Sequence, residues 1–512
     1  MKTNRVIKIF LASSEELEAD RYRFGNLIRK LDNIYEKRGI RIELFEWEDY
    51  DAAYNGMRKQ DEYNERVRAS DMFLALFHKK AGKFTIEEFN IARKAFDKQA
   101  SPKIYTYIKD LEAGESESRE LAEFKRLMLE ELGHYWCRYS NFDTMQLHFV
   151  LQLQMVEATT PIKVEVKESQ VKIGDSTIAD LNNVPFTSEN ATHRELQSRK
   201  EQLDREIGNA ESGGRRGFFG QRSRMTDEEL ANLREERESV TEQIERQEKA
   251  LVDTAMSIAR MQGGECSPRM RTAAELFEKG ETDKAEAVLK EDDMEADATN
   301  AKLKFDTAAQ PTAELARNIE RCAGEYMLKA RIVVSGIADE SRYRQAVKLM
   351  STAIDLVSGR LPEETLAEYL FDYAVLLADA GQQTKALETW ERLSGIYERL
   401  YRKAPQKYAY GYAGVLNNIA VLYSDKGDFD HCLSKYLKAV DIYDRLDREE
   451  PGIYDDDIAR LKNNLGTLYS DRDEYNKALS EFNEAARIRF ELLAKDNDPD
   501  SRSALADIYC NM

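Results

Sequence analysis

The sequence is poor in the residues that build metal centres and covalent cross-links. It holds five cysteines, Cys137, Cys266, Cys322, Cys432 and Cys510, an odd number with no CxxC spacing. That scatter gives no disulfide framework and no thiolate metal site, and it fits a reducing compartment. The five histidines, His78, His134, His148, His193 and His431, form no ligand cluster either. No apolar run approaches the roughly 20 residues of a membrane span. The opening segment, MKTNRVIKIFLASSEE, has too short an apolar core for a signal peptide and soon turns acidic. Positive charge is also in deficit: the net charge is -19, with 33% charged residues. A nucleic-acid binder normally shows a basic face, so that class is disfavoured. A cytoplasmic protein with no membrane or nucleic-acid partner is the expectation.

What is present begins with an alternation of apolar runs and amphipathic stretches over residues 1–158. Strands are expected at 6–12, 40–47, 72–77, 103–108 and 135–139. Helices are expected at 15–37, 58–69, 85 onward, 117–132 and 142–157, with Ser14 and Ser116 as N-caps. Five strands alternating with five helices make a doubly wound α/β domain on a parallel sheet.

The stretch DMFLALFHKKAGKFTIEEFNIA, residues 71–92, carries the chemistry of that domain. A strand buried on both faces runs into a basic loop and then into a helix carrying Glu87 and Glu88. Ligand sites of open parallel sheets lie at the carboxyl ends of the strands. A structural explanation stands beside the functional one. Thr85-x-x-Glu88 fits a capping box, and acids are favoured in a first helical turn.

This order of elements, with Ser13-Ser14 closing strand one, Ser70-Asp71 entering strand three and the TIEEFNIA helix start, resembles a TIR-like domain over residues 4–158. The resemblance implies a flavodoxin-like sheet. TIR enzymes carry a glutamate early in the third helix with a small residue four positions on, which Glu88 and Ala92 match. Glu87 is the alternative. Thr85 and Ile86 stand where many TIR enzymes have a serine and a Trp-Cys pair. The implied activity is cleavage of NAD+, as a substrate and with no resident cofactor or metal. Ser13 and Ser14 would then meet ribose or phosphate, Trp47 or Tyr50 a base, and Lys79, Lys80 and Lys83 the pyrophosphate.

Residues 159–190 read as a β-hairpin ending at Gly174 and a linker over 180–188. Residues 191–262 read as an antiparallel helical hairpin. Its seam is Leu196, Leu203 and Ile207 against Leu230, Leu233, Val240, Ile244 and Leu251, interrupted by Arg237 and Gln247. Its tip, residues 212–224, carries Phe218 and Phe219, either as a disordered loop or as a contact point for a partner or second subunit.

From residue 268 the chain repeats. DYAVLLADAG ending at Gly381, NIAVLYSDKG ending at Gly427 and NLGTLYSDRD ending at Asp473 align at an offset of 46 residues. So do Trp390, Tyr436 and Phe482, and the small residues Ala374, Ala420 and Gly466. Earlier units centre on Ala285 and Ala346. The pattern resembles tetratricopeptide repeats, whose concave face binds proteins or peptides. The pairs Asn417-Asn418 and Asn463-Asn464 either line that face or pack between helices. Residues 501–512 begin another first helix, as a lone capping helix or the start of a further unit.

A TIR-like domain joined to such an array resembles prokaryotic immune effectors. Three readings follow. One is an NAD+ glycohydrolase switched on by self-association or by a partner on the repeats. The second is a catalytically silent interaction scaffold, and the third a nucleoside or nucleotide transferase using the same cleft.

Overall fold

Five strands hydrogen-bond into a parallel sheet: β1 (Arg5–Ser13), β2 (Ile40–Phe45), β3 (Met72–Phe77), β4 (Lys103–Lys109) and β5 (Cys137–Tyr139). Their spatial order is β2-β1-β3-β4-β5. A computed structural model describes residues 5–36, 39–45, 59–112, 114–131, 136–156, 164–173, 176–211, 226–262, 266–336, 339–449, 451–496 and 499–512. The chain divides into two compact units, Met1–Gln154 with Lys163–Pro185, and Met155–Ile162 with Phe186–Met512.

In the first unit the strands alternate with α1 (Glu18–Glu36), α2 (Lys59–Ala69), α3 (Lys83–Gln99), α4 (Arg119–Arg126) and α5 (Phe142–Val156). All six residues of β3 are buried, as a strand covered on both faces requires. Phe73, Ala75 and Phe77 join Phe10, Phe89 and Phe124 in one cluster. Phe24 of α1 and Phe149 of α5 meet edge to face at 4.7 Å in another part of the core. Asp71 brackets the amino end of the sheet. Its carboxylate accepts the Lys8 N–H at 2.8 Å, and its own N–H donates to the Lys8 carbonyl at 2.8 Å. The Ser70-Asp71 motif is therefore a strand-entry clamp, far from the carboxyl ends. The α4 cap is Ser118 and not Ser116, with Ser118 Oγ accepting the Leu121 N–H at 3.2 Å. The Ser118 N–H is itself held by the Lys79 carbonyl at 2.7 Å, which sets where the helix starts.

The expected hairpin after the sheet has a third strand. β6 (Glu165–Lys167), β7 (Gln170–Ile173) and β8 (Ser176–Asp180) form an antiparallel sheet, and α6 (Pro185–Ser188) occupies the expected linker. Ile178, Leu181 and Val184 are buried, which explains why this segment is ordered. Asn141 Nδ2 donates to the Asn183 carbonyl at 2.6 Å and ties the segment to the start of α5.

The second unit opens with the antiparallel pair α7 (Ala191–Glu211) and α8 (Asp227–Gln262). Leu203, Val240 and Ile244 form their seam. Arg237, a break in the heptad, pairs across it with Asp204 at 2.9 Å. Gln247, the other break, is buried and donates to Asn190 Oδ1 at 3.3 Å and to the Ser335 carbonyl at 3.4 Å.

A tetratricopeptide-type array follows. It runs through α9 (Pro268–Glu278), α10 (Thr282–Val288), α11 (Glu291–Thr307), α12 (Ala313–Ser335), α13 (Glu340–Val357), α14 (Glu363–Asp379), α15 (Gln383–Lys403), α16 (Pro405–Asp425), α17 (Phe429–Glu449), α18 (Asp455–Asp471), α19 (Tyr475–Asp496) and α20 (Pro499–Asn511). Trp390, Tyr436 and Phe482 are all buried, one per repeat, as the 46-residue spacing implies. The turns recur as well. Gly381 and Gly427 have φ +70°, and Asp473 takes the same left-handed place at φ +57°. Each turn closes by a six-residue bond, such as Gln382 N–H to the Leu377 carbonyl at 2.8 Å and Glu474 N–H to the Tyr469 carbonyl at 2.9 Å. The asparagines bridge successive first helices: Asn464 Nδ2 reaches Asn417 Oδ1 at 3.4 Å, and Asn511 Nδ2 reaches Asn463 Oδ1 at 3.2 Å.

The helical pair and the array share one core. Phe186 stacks on Phe277 at 5.6 Å, and Thr254 Oγ1 of α8 donates to the Arg331 carbonyl of α12 at 3.4 Å. The chain from Phe186 to Met512 is therefore expected to fold alone, with a strongly helical circular dichroism spectrum. The shorter piece from Pro268 should melt at lower temperature, because it exposes the flank of α12 that α8 covers. Equal melting temperatures would show that α8 adds nothing to the array.

Candidate functional site

In a parallel sheet of order 2-1-3-4-5 the strand sequence reverses between β1 and β3, and the crevice opens above their carboxyl ends. There β1 ends at Ser13, paired in register with Leu76 of β3. Arg21, only 2% exposed, donates from Nη1 to Ser13 Oγ at 2.9 Å and to the Ser14 carbonyl at 2.8 Å. Ser14 does not cap α1 with its side chain. A short 3-10 turn, Glu15–Leu17, intervenes, and the Ser14 hydroxyl donates to Glu16 Oε1 at 3.2 Å.

Glu16 joins the two loops. The same Oε1 accepts the N–H groups of Lys79 and Lys80 at 3.0 and 3.2 Å. On the other side, Glu115 from the β4 loop takes the Lys79 ammonium and lies 3.4 Å from His78 Nε2. The hydrogen bond to Glu115 raises the Lys79 pKa, and the same bond lowers that of Glu115. Lys79 is thus committed to an internal partner, whereas Lys83 stands exposed as the first residue of α3. Further along the carboxyl ends, Asp20, 3% exposed, accepts from Lys109 Nζ at 2.9 Å and the Tyr139 hydroxyl at 3.0 Å. Burial pushes the Tyr139 phenol far above its ordinary value, and Asp20 adds to the shift.

The capping box at Thr85 does not form. Gly82 is the N-cap of α3, with extended backbone at φ −63°, ψ 139°, and its carbonyl already accepts the Ile86 N–H at 3.0 Å. The helix therefore begins at Lys83, two residues before Thr85, and neither Glu87 nor Glu88 lies in the first turn. Thr85 and Glu88 are instead buried helix residues, 4% and 7% exposed. Ala92, one turn beyond Glu88 on the same stripe, is fully buried. Glu87 turns to α2, where its Oε1 accepts from Asn64 Nδ2 at 3.2 Å. The structure thus gathers Ser13, Ser14 and the β3 loop around Glu16, and separates the environments of Glu87 and Glu88. Trp47 and Tyr50, and the hairpin tip with Phe218 and Phe219, lie outside the described residues. Glu16, Arg21 and Glu115 escape a sequence reading, although Glu15-Glu16 directly after two serines is a visible acidic signal.

No protein-family model matches the sequence, and no curated protein matches it. Among solved structures the chain is similar to BtubC from P. vanneervenii, at 17% identity over 58% of this chain and 92% of that one, TM-score 0.31. It is similar to the apo form of RapI, at 16% identity over 62% and 71%, TM-score 0.34. It is also similar to a signal-transduction STAND ATPase with a tetratricopeptide repeat sensor from Pyrococcus horikoshii, at 11% identity over 99% and 90%, TM-score 0.28. The superpositions are loose, and nothing about ligand or activity follows from them. The fold stands on its own elements: a doubly wound five-stranded α/β unit, then a helical pair and a tetratricopeptide-type array. No helix among the described residues is long and apolar enough to cross a membrane.

Proposed function

We propose that the first unit is a TIR-like NAD+ glycohydrolase, and that the repeat array binds a protein or peptide and governs the enzyme. The observation carrying this reading is Glu88: a carboxylate 7% exposed, on the helix that follows β3 and beyond its first turn. Cleaving the nicotinamide–ribose bond builds positive charge on the ribose, as glycoside cleavage does. A carboxylate fixed beside the ribose stabilises that charge. Nicotinamide leaves with the bonding electron pair, and water adds to the anomeric carbon and gives up a proton. Ser13, Ser14 and Lys83 are the substrate-binding candidates on the surrounding loops. By the same resemblance, such chemistry would serve prokaryotic, antiphage immunity.

An enzyme that destroys NAD+ in its own cytoplasm needs a resting state, and activation by self-association leaves the dissociated chain as that state. A net charge of -19 opposes casual clustering by like-charge repulsion. Specific activity should therefore rise with protein concentration, or on adding a partner for the repeats. The measurement is initial nicotinamide release over a wide dilution series, with particle size followed in parallel. Constant specific activity in a particle that remains monomeric would eliminate assembly as the switch. No release at any concentration would leave the scaffold reading.

A further inference from the structure

The second unit contains a groove of about 930 Å³ between α8 and the start of α7 on one side and α12, α13 and α14 on the other. That volume lies near the upper end of the range for ligand cavities. The α8 wall runs from Gln243 to Ser257, roughly 20 Å of helix, which matches about six residues of extended chain.

The groove changes character along its length. At one end Asp379 closes α14, within electrostatic reach of Lys249 and Tyr343. A carboxylate at a helix C-terminus meets the negative end of the helix dipole. Asp379 is exposed, and among the described residues its side chain makes no hydrogen bond or ion pair. In the middle, Arg331 is neutralised by Asp372 at 2.6 Å and donates to the Asp253 carbonyl at 3.4 Å. The α14 wall is then apolar: Val375 and Phe371 are 36% and 41% exposed, with Phe371 held edge-on by Trp390 at 5.1 Å. One repeat later, and again two repeats later, the place of Phe371 is taken by Asn417 and Asn463, each bonded to another asparagine. The aromatic platform is thus absent from the next two repeats. Acidic groups outnumber basic ones along the walls, with Glu195, Asp253, Asp372 and Asp379 against Arg246, Lys249 and Arg331.

We propose that this groove holds an extended peptide segment of another protein, with an arginine or lysine against Asp379 and an apolar side chain on Phe371 and Val375. The inference rests on the reading of the repeats as the binding half, and not on the chemistry of the first unit. A fluorescein-labelled octapeptide of alternating arginine and leucine is the probe, titrated into the full chain and followed by anisotropy. Its counterpart with glutamate for arginine is the second probe. Saturable binding of the basic peptide alone is expected, weakened about tenfold by Asp379→Asn. Phe371→Asn, which installs the residue found in the next two repeats, should weaken it severalfold. Asp471→Asn removes the same charge from the end of α18, outside the groove, and should change nothing. The proposal is overturned by the absence of saturable binding, by preference for the acidic peptide, by equal loss in Asp471→Asn, or by no loss in either groove variant. NAD+ cleavage, measured on the same samples, is a separate readout. Binding without cleavage would remove the glycohydrolase reading and keep this one, and cleavage without binding would do the reverse.

Discussion

Replacing Glu88 with glutamine should abolish NAD+ cleavage while leaving the first unit folded. Glutamine matches glutamate in size, so the buried space beside Ala92 is refilled without a cavity. The start of α3 is set by the Gly82 carbonyl and not by a Glu88 side chain, so no cap is lost. A stability change of about 1 kcal/mol or less is expected. The negative charge that would offset the ribose cation is gone, and the rate should fall by roughly 100-fold or more. Nicotinamide release reports the rate, and urea unfolding reports the stability. Undiminished release from a folded variant would eliminate Glu88 and turn attention to Glu87, although that carboxylate is already engaged by Asn64.

The second large effect is structural. At Gly466, in α18, an added Cβ would lie 2.5 Å from Cδ1 and 2.6 Å from Cε1 of Phe482. Phe482 is 2% exposed and fills the aromatic place of its repeat, so it has little room to retreat. Gly466→Val forces a branched side chain into that contact. Overpacking of this kind costs about 1–3 kcal/mol or more, and only a few tenths return through the better helix propensity of valine. In a repeat array each unit leans on its neighbours, so the damage should stay local. Hydrogen exchange followed by mass spectrometry should show faster exchange in α18 and α19, with α12 and α13 unchanged. Uniform acceleration across the array would show that it unfolds as a single block, and unchanged exchange in α18 would mean that the helices separate freely.

What the sequence makes legible depends on how far a signal reaches. The all-buried β3 follows from six apolar residues in a row, and the repeat array from a 46-residue period that returns the same small and aromatic residues. Both are local or self-repeating patterns. The capping box fails for a related reason. Thr85 and Glu88 have the right spacing, but Gly82, three residues earlier, offers an extended backbone from which the helix starts sooner. The third strand of the small sheet hides in a segment whose turn residues, Asn182 and Asn183, outweigh its apolar ones to the eye. Glu16 and Glu115 leave no trace of their partners, because each bonds to a loop distant in sequence. The packing of α8 on α12 is hidden in the same way, since its heptad seam points only to α7.

The hydrogen bond between Lys8 and Asp71 joins residues 63 positions apart. During synthesis at roughly 5–20 residues per second, β1 therefore waits about 3–13 s for β3 on one edge, although β2, its neighbour on the other edge, emerges sooner. The repeats meet no such delay, since each helix finds its partner within a few tens of residues. Pairings of long sequence separation also form more slowly once the chain is free. The unit made before the repeats is thus built from the slower contacts. In that interval a bare, apolar strand edge is the species a chaperone would meet.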